Sequence, residues 1–186
     1  MKPNKPSIFK IIKNFFFCLK YPFFKSRNVW TGKFLGYGFT EYDAIPKGWR
    51  KAFGKQLCKE LRNAWKLSGK VDFFFTQIKE KYGELRLYIA SGTDAIYEVL
   101  HKYENMSRKY CISCGRPVEY KYGYYNLCER CFLEELQNHS FENDEELLKY
   151  IQEMSIDKDK EEWYNNTVKN NLEKILWHLK NKLKHI

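Results

Sequence analysis

Acidic residues are scarce at the start of this chain. Across the first 70 of its 186 residues only Glu41, Asp43 and Glu60 carry negative charge, against 16 lysines and arginines. The remaining 116 residues reverse the balance to a net of −3. Such asymmetry points the basic half toward an anionic partner, whether nucleic acid, a membrane surface or an acidic protein; the plain alternative is a solvated basic face that aids solubility. Histidine is sparse too. None of His101, His139, His178 and His185 lies in a His-Glu-x-x-His frame or beside a Gly-x-Ser-x-Gly elbow, and no Walker loop or dinucleotide fingerprint occurs. A long uncharged apolar run is missing. The opening "MKPNKPSIFKIIKNFFFCLK" has Lys10 and Lys13 inside its apolar stretch and no small-residue cleavage site, which argues against a signal peptide and a membrane span. Internal repeats and low-complexity tracts are absent as well.

Hydrophobic residues make up 44% of the chain and aromatics 18%, enough for a real core and too many for global disorder. Ile8, Ile12, Phe15, Phe16 and Leu19 fall at helical spacing, with Lys10, Lys13 and Lys20 around them. This predicts a short basic amphipathic helix ended before Pro22. Docking of its stripe on the chain's own domain is the favoured reading, ahead of attachment to an anionic membrane. Residues 22–46 read as an ordered loop with one or two short strands. A second helix follows Pro46, with Asp43 as its candidate cap, and aligns Trp49, Phe53, Leu57, Leu61, Ala64 and Trp65 on one side. Lys51, Lys55, Lys59, Arg62 and Lys66 make a cationic stripe on another side.

"DFFFTQIKEKYGELRLYIA" over 72–90 predicts a hairpin turning at Tyr82-Gly83. Alternation places Phe74, Thr76, Ile78, Leu85, Leu87 and Ile89 inward. Phe73, Phe75, Gln77, Lys79, Lys81, Glu84, Arg86 and Tyr88 point outward. Lys79 then faces Arg86, a like-charge pair that an anion or a neighbouring acid would relieve. A third helix from Thr93-Asp94 buries Ile96, Val99, Leu100, Tyr103 and Met106. Beyond residue 134, ten acids between 135 and 162 precede a short heptad seam of Leu172, Leu176, Leu179, Leu183 and Ile186.

Four of the six cysteines stand as Cys111-x2-Cys114-x13-Cys128-x2-Cys131, while Cys18 and Cys58 stand alone. Paired cysteines without a secretory signal read as metal ligands in a reducing compartment rather than as disulfides. Two such pairs supply the four soft donors of tetrahedral zinc, and four protein ligands close the sphere, so a structural ion is expected. Gly115 suits the knuckle turn, and Phe132–Gln137 can continue as helix. Arg116, Tyr120, Lys121, Tyr122, Tyr124 and Tyr125 decorate the segment between the pairs, either as base-stacking groups or as packing for a small module. A nuclease reading is disfavoured. The chain lacks the His pair or Asp-His step of a ββα-metal site, and Asp72, Glu80, Lys81 and Glu84 do not take the acid, then Glu-x-Lys, spacing of another nuclease type.

"YPFFKSRNVWTGK", "TEYDAIPKGWRKAFGKQLCKEL", "TQIKEKYGELRLY" and "CISCGRPVEY…LCERC" together resemble a family of small four-cysteine zinc-binding proteins of bacterial prophages and phages, over about residues 21–131. The resemblance implies a mobile-element setting and a zinc module, and no reaction. The segment from Phe132 on is longer than the family pattern.

The expected fold is α+β. A basic amphipathic helix (1–21) precedes a small domain (22–109) of helix packed on an antiparallel hairpin. A zinc-ribbon or treble-clef-like module (110–134) and a charged helical tail (135–186) follow. The expected function is non-enzymatic: a zinc-binding accessory protein in the cytoplasm of a bacterial host, binding nucleic acid through Gln77, Lys79, Lys81, Arg86 and Tyr88 with help from Lys51–Lys66. The alternative is a protein-interaction module acting on a host or phage protein, with a weak dimer through the last helix as one form. A membrane surface is the least favoured partner.

Overall fold

The structure is a computed structural model that describes residues 6–118 and 126–138, the side chains at 129, 133, 136 and 137 aside, with residues 146, 149, 150 and 177 as isolated positions. The chain divides into two compact units, Met1–Val118 and Glu119–Ile186. Apart from those isolated positions, the part of the expected helical tail (135–186) beyond residue 138, with its heptad seam, lies outside the described residues, as does most of the segment between the cysteine pairs.

In the first unit the helices come where periodicity puts them. α1 spans Ile8–Lys20, α2 Lys47–Trp49, α3 Lys55–Leu67 and α4 Asp94–Ser107. Between α2 and α3 the backbone makes one wide π-type turn, Arg50–Gly54, so the predicted second helix is a single run with one extra residue in it. Trp49, Phe53, Leu57, Leu61 and Ala64 are buried along that run, and Ile96, Leu100 and Tyr103 along α4. Thr93 caps α4. Asp43 does not cap the second helix. Its carboxylate accepts the Thr40 backbone N–H at 3.1 Å within the preceding short turn, Glu41–Ala44, and it pairs with Arg50 at 3.5 Å.

β1 (Phe75–Lys81) and β2 (Glu84–Ile89) form an antiparallel hairpin, giving a helix-plus-hairpin α+β fold. Tyr82 (φ 55°) and Gly83 (φ 75°) make its two-residue turn, with both central residues left-handed, as a hairpin with right-handed twist requires. Lys79 lies opposite Arg86 and Ile78 opposite Leu87, in the predicted register. The predicted facing fails at the start of β1. Phe73 and Phe75 are buried, and it is Phe74 and Thr76 that are only partly covered. The register slips by one residue between Phe75 and Gln77, and such a bulge inverts the alternation on its upstream side.

Inverted, the two phenylalanines meet the loop. Phe23 stacks on Phe73 with centroids 5.0 Å apart, and Phe24 on Phe75 at 4.9 Å, both nearly parallel at 13°. Two rungs of stacked rings thus tie the Pro22–Phe24 turn to the strand. The long loop is ordered by two short antiparallel pairings, Lys25 with Thr40 and Arg27 with Phe34.

α4 packs against both α3 and β2. It also covers the outer edge of β2. The Leu85 N–H donates to Ser107 Oγ at 2.9 Å and the Leu87 N–H to Glu104 Oε1 at 2.8 Å. These donors lie on the edge that has no partner strand among the described residues, so side chains of one helix do the work of a third strand.

α1 departs from expectation. Its buried residues are Asn14 and Cys18, and the stripe Ile8, Ile12, Phe15, Phe16 and Leu19 is exposed. Docking is achieved by the opposite side. The Asn14 side chain donates to the Tyr37 carbonyl at 2.8 Å, and Phe17 meets Tyr42 with ring centroids 5.0 Å apart.

In the second unit, α5 spans Glu129–Asn138; it includes the expected Phe132–Gln137 but begins earlier, directly after Cys128 and within the second pair.

Candidate metal centre and the basic hairpin face

The first cysteine pair is built onto the end of α4. Lys109 accepts the Val118 N–H and Tyr110 pairs with Pro117, so the chain leaves and re-enters the knuckle as a narrow antiparallel pair. Inside it the Gly115 N–H donates to the Cys111 carbonyl at 2.9 Å, and the Cys111 N–H to the Arg116 carbonyl at 2.8 Å. Gly115 has φ 79°, a conformation that strains other residues.

The knuckle rests on α2. The Gly48 N–H donates to the Ile112 carbonyl at 2.8 Å and Trp49 Nε1 to the Tyr110 carbonyl at 2.9 Å. Two glycines permit the approach. A Cβ on Gly48 would stand 2.3 Å from the Cys111 carbonyl oxygen, and one on Gly115 would stand 2.5 Å from the Gly48 carbonyl oxygen. The second pair flanks the start of α5. Cys128 precedes its first turn, Cys131 lies in it, and the Phe132 N–H donates to the Cys128 carbonyl at 3.0 Å. A helix N-terminus favours negative charge, which suits thiolates.

The four cysteines come together. Their sulfur atoms all lie within 4.8 Å of one another, with Cys111 and Cys131 buried and Cys114 and Cys128 half-buried. Sulfurs held about 2.3 Å from a single tetrahedral ion stand about 3.8 Å apart, so the set fits one metal ion with no large movement. None of the six cysteines is in a disulfide. Cys18 and Cys58 are set apart by environment. Burial pushes the Cys18 thiol up to about 11 and that of Cys58 up to about 12, so neither is a nucleophile near neutral pH.

The predicted binding residues of the hairpin share its outer face. Gln77 pairs with Tyr88 and Lys79 with Arg86 across the ladder. Lys79 Nζ lies 5.4 Å from the Tyr88 ring centroid, and Lys81 Nζ lies 5.3 Å from that of Tyr82. Tyr82 and Tyr88 are exposed. Among the described residues neither lysine is in an ion pair. Arg86 is different. Its Nη2 lies 2.6 Å from Glu84 Oε2, and Glu84 Oε1 in turn lies 2.7 Å from Arg108 Nε. The counter-charge that the Lys79–Arg86 pair needs is therefore Glu84. It was legible in principle, because residues two apart on a strand share a face.

Between the hairpin and α4 opens a cleft of about 530 Å³, lined by Lys81, Arg86 and Tyr88 from the strands and by Tyr97, His101 and Glu104 from the helix. The three helix residues escaped sequence reasoning. Only Glu104 signals a role, as an acid within the buried side of an amphipathic helix, and its role is to accept the Leu87 N–H. The cationic stripe of the second helix is elsewhere. Lys51, Lys55, Lys59 and Lys66 are exposed and Arg62 is half-buried, and no hydrogen bond, ion pair or ring contact among the described residues joins them to the hairpin face. The α3 residue that reaches α4 is Glu60, held 2.7 Å from Lys102. Burial opposes its ionisation, but hydrogen bonds from Lys102 and Gln56 outweigh this and hold its pKa below the ordinary carboxylate range.

Comparison of this chain with family models, with curated proteins and with solved structures gives no match.

Proposed function

We propose that this chain is a non-enzymatic zinc-binding accessory protein of the phage or prophage type, and that its hairpin face binds single-stranded nucleic acid. Donor chemistry supports zinc. Four thiolates within 4.8 Å of one another satisfy a tetrahedral ion completely, and a closed sphere leaves no position for water or substrate. The ion's part is to hold a ribbon or treble-clef-like module. The QIKEKYGELRLY motif and the cysteine spacing support the mobile-element setting, and reduced cysteines support the cytoplasm of a bacterial host.

The observation that carries the nucleic-acid reading is the pairing of unneutralised cations with exposed rings. Lys79 over Tyr88 and Lys81 over Tyr82 offer phosphate contacts beside flat surfaces on which bases can stack, next to an open cleft. Arg86, held by Glu84, contributes orientation more than net charge. Zinc takes no direct part in binding.

The test is fluorescence anisotropy with a labelled single-stranded oligonucleotide across a salt titration. Affinity should fall steeply with salt, by about 0.7 in log–log slope per phosphate contacted. Lys79→Glu with Lys81→Glu should weaken binding and flatten that slope by about 1.4. Unchanged affinity and slope would show that this face is not the site.

A further inference from the structure

Helix α1 turns its apolar side to water. Ile12 is 48% exposed and Phe16 63%, with Ile8, Phe9 and Leu19 exposed beside them. At 100° per residue these side chains fill an arc of about 100° that points away from the buried Asn14 and Cys18. The patch continues off the helix. Phe15 meets Phe16 at 5.4 Å and Tyr37 at 5.2 Å, and Tyr37 meets Phe34 at 4.8 Å, so contiguous rings run into the following loop. There Leu35 is exposed and Trp30 is 91% exposed, in a turn fixed by two backbone N–H bonds to Asn28 Oδ1. Exposed Lys13, Lys20 and Lys33 border the patch, and none is in an ion pair among the described residues.

We infer that α1 and the loop around Trp30 seat the protein on an anionic lipid surface, with the helix lying in the interface plane. The charge is complementary, since the first 70 residues carry a net +13. The composition fits lipid better than nucleic acid, because Ile8, Ile12, Leu19 and Leu35 have no π-face or charge to offer a base or phosphate. An outward aliphatic-aromatic arc bordered by lysines, with an exposed tryptophan nearby, is how interfacial helices bury their apolar side at the headgroup boundary. The attachment is peripheral. α1 has 13 residues, about 20 Å against a hydrocarbon core of about 30 Å, and no described helix is long and apolar enough to cross a membrane. This surface is separate from the hairpin face and does not depend on it.

The test is flotation of the full chain with vesicles of phosphatidylcholine alone and of phosphatidylcholine with about one-third phosphatidylserine. Flotation is expected with the anionic vesicles only and should decline with salt. Ile12→Glu with Phe16→Glu should cut partitioning at least about tenfold, and Lys13→Glu with Lys20→Glu about fivefold per charge removed. Thermal melting of both variants should match wild type, because all four side chains face water. The inference is overturned if wild type fails to float with anionic vesicles, or if Ile12→Glu with Phe16→Glu floats like wild type. It is overturned as well if that variant turns a wild-type dimer into monomer on sedimentation, which makes the occupant a second copy. A marked fall in its melting temperature would overturn it too, since the face would then be covered by the chain's own remaining residues.

Discussion

Replacing Gly48 by alanine tests how the first cysteine pair is held. Gly48 is helical, and in an open helix the change would stabilise by about 1 kcal/mol. Here the new methyl would stand 2.3 Å from the Cys111 carbonyl oxygen, 2.4 Å from that of Ile112 and 2.5 Å from the Ile112 carbonyl carbon. All three are backbone atoms, so no side chain can swing aside. Close carbon–oxygen contacts begin near about 3.3 Å, so the knuckle must retreat by about 1 Å. That retreat strains two bonds, from the Gly48 N–H to Ile112 at 2.8 Å and from Trp49 Nε1 to Tyr110 at 2.9 Å. A buried donor left unpaired costs about 1–3 kcal/mol, and overpacking alone costs a similar amount. After the helix-propensity gain, a net loss of roughly 2–4 kcal/mol is expected. Urea unfolding at fixed metal concentration measures it. Metal release to a colorimetric chelator should accelerate in parallel, because Cys111 moves with the knuckle. A Gly48→Ala protein as stable as wild type, or stabilised by the propensity term, with unchanged release, would refute this account of the contact.

Three further outcomes are expected. Cys114→Ser should lower bound metal and melting temperature together, and chelator treatment of wild type should reproduce both changes; a variant that keeps full metal and full stability would remove Cys114 from the ligand set. Ser107→Ala should cost about 1–3 kcal/mol in urea unfolding by stranding the Leu85 N–H, and no change would mean that water satisfies that edge. Glu60 has its pKa lowered by folding, so its link to Lys102 adds stability above the unfolded-state pKa of about 4.3, and that increment is lost as pH falls through the lower folded value. The stability gap between wild type and Glu60→Gln should therefore close on acidification, whereas a gap independent of pH would show that the lowered pKa contributes nothing.

The parts of this fold that rest on one local rule were readable from the chain. Periodicity placed the second and third helices, and Tyr82-Gly83 placed the hairpin turn with its Lys79–Arg86 register. Cysteine spacing predicted that the four cysteines would come together, because two short pairs each form a tight turn. What was not readable depends on contacts distant in sequence. Alternation cannot announce a bulge, so the facing of Phe73 and Phe75 came out inverted; their stacking partners Phe23 and Phe24 lie some fifty residues earlier. The π-type turn at Arg50–Gly54 leaves a helical pattern almost unchanged, and Gly54 within it lies against Tyr42, which periodicity does not see. α1 is the sharpest case. Its apolar stripe has the spacing of a buried face, yet tertiary packing chose Asn14 and Cys18, and the moment that predicts amphipathicity says nothing of which side meets protein.

The covering of the β2 edge by α4 also narrows how a partner can bind. A small exposed sheet commonly captures an extended peptide by letting it pair as one more strand. Leu85 and Leu87 have no donors left for such a guest, because Ser107 and Glu104 already hold them. On that side a guest strand finds both of these N–H donors taken. An extended polypeptide or a second copy of the chain cannot pair there through those two donors, so any ladder it formed would lack both bonds.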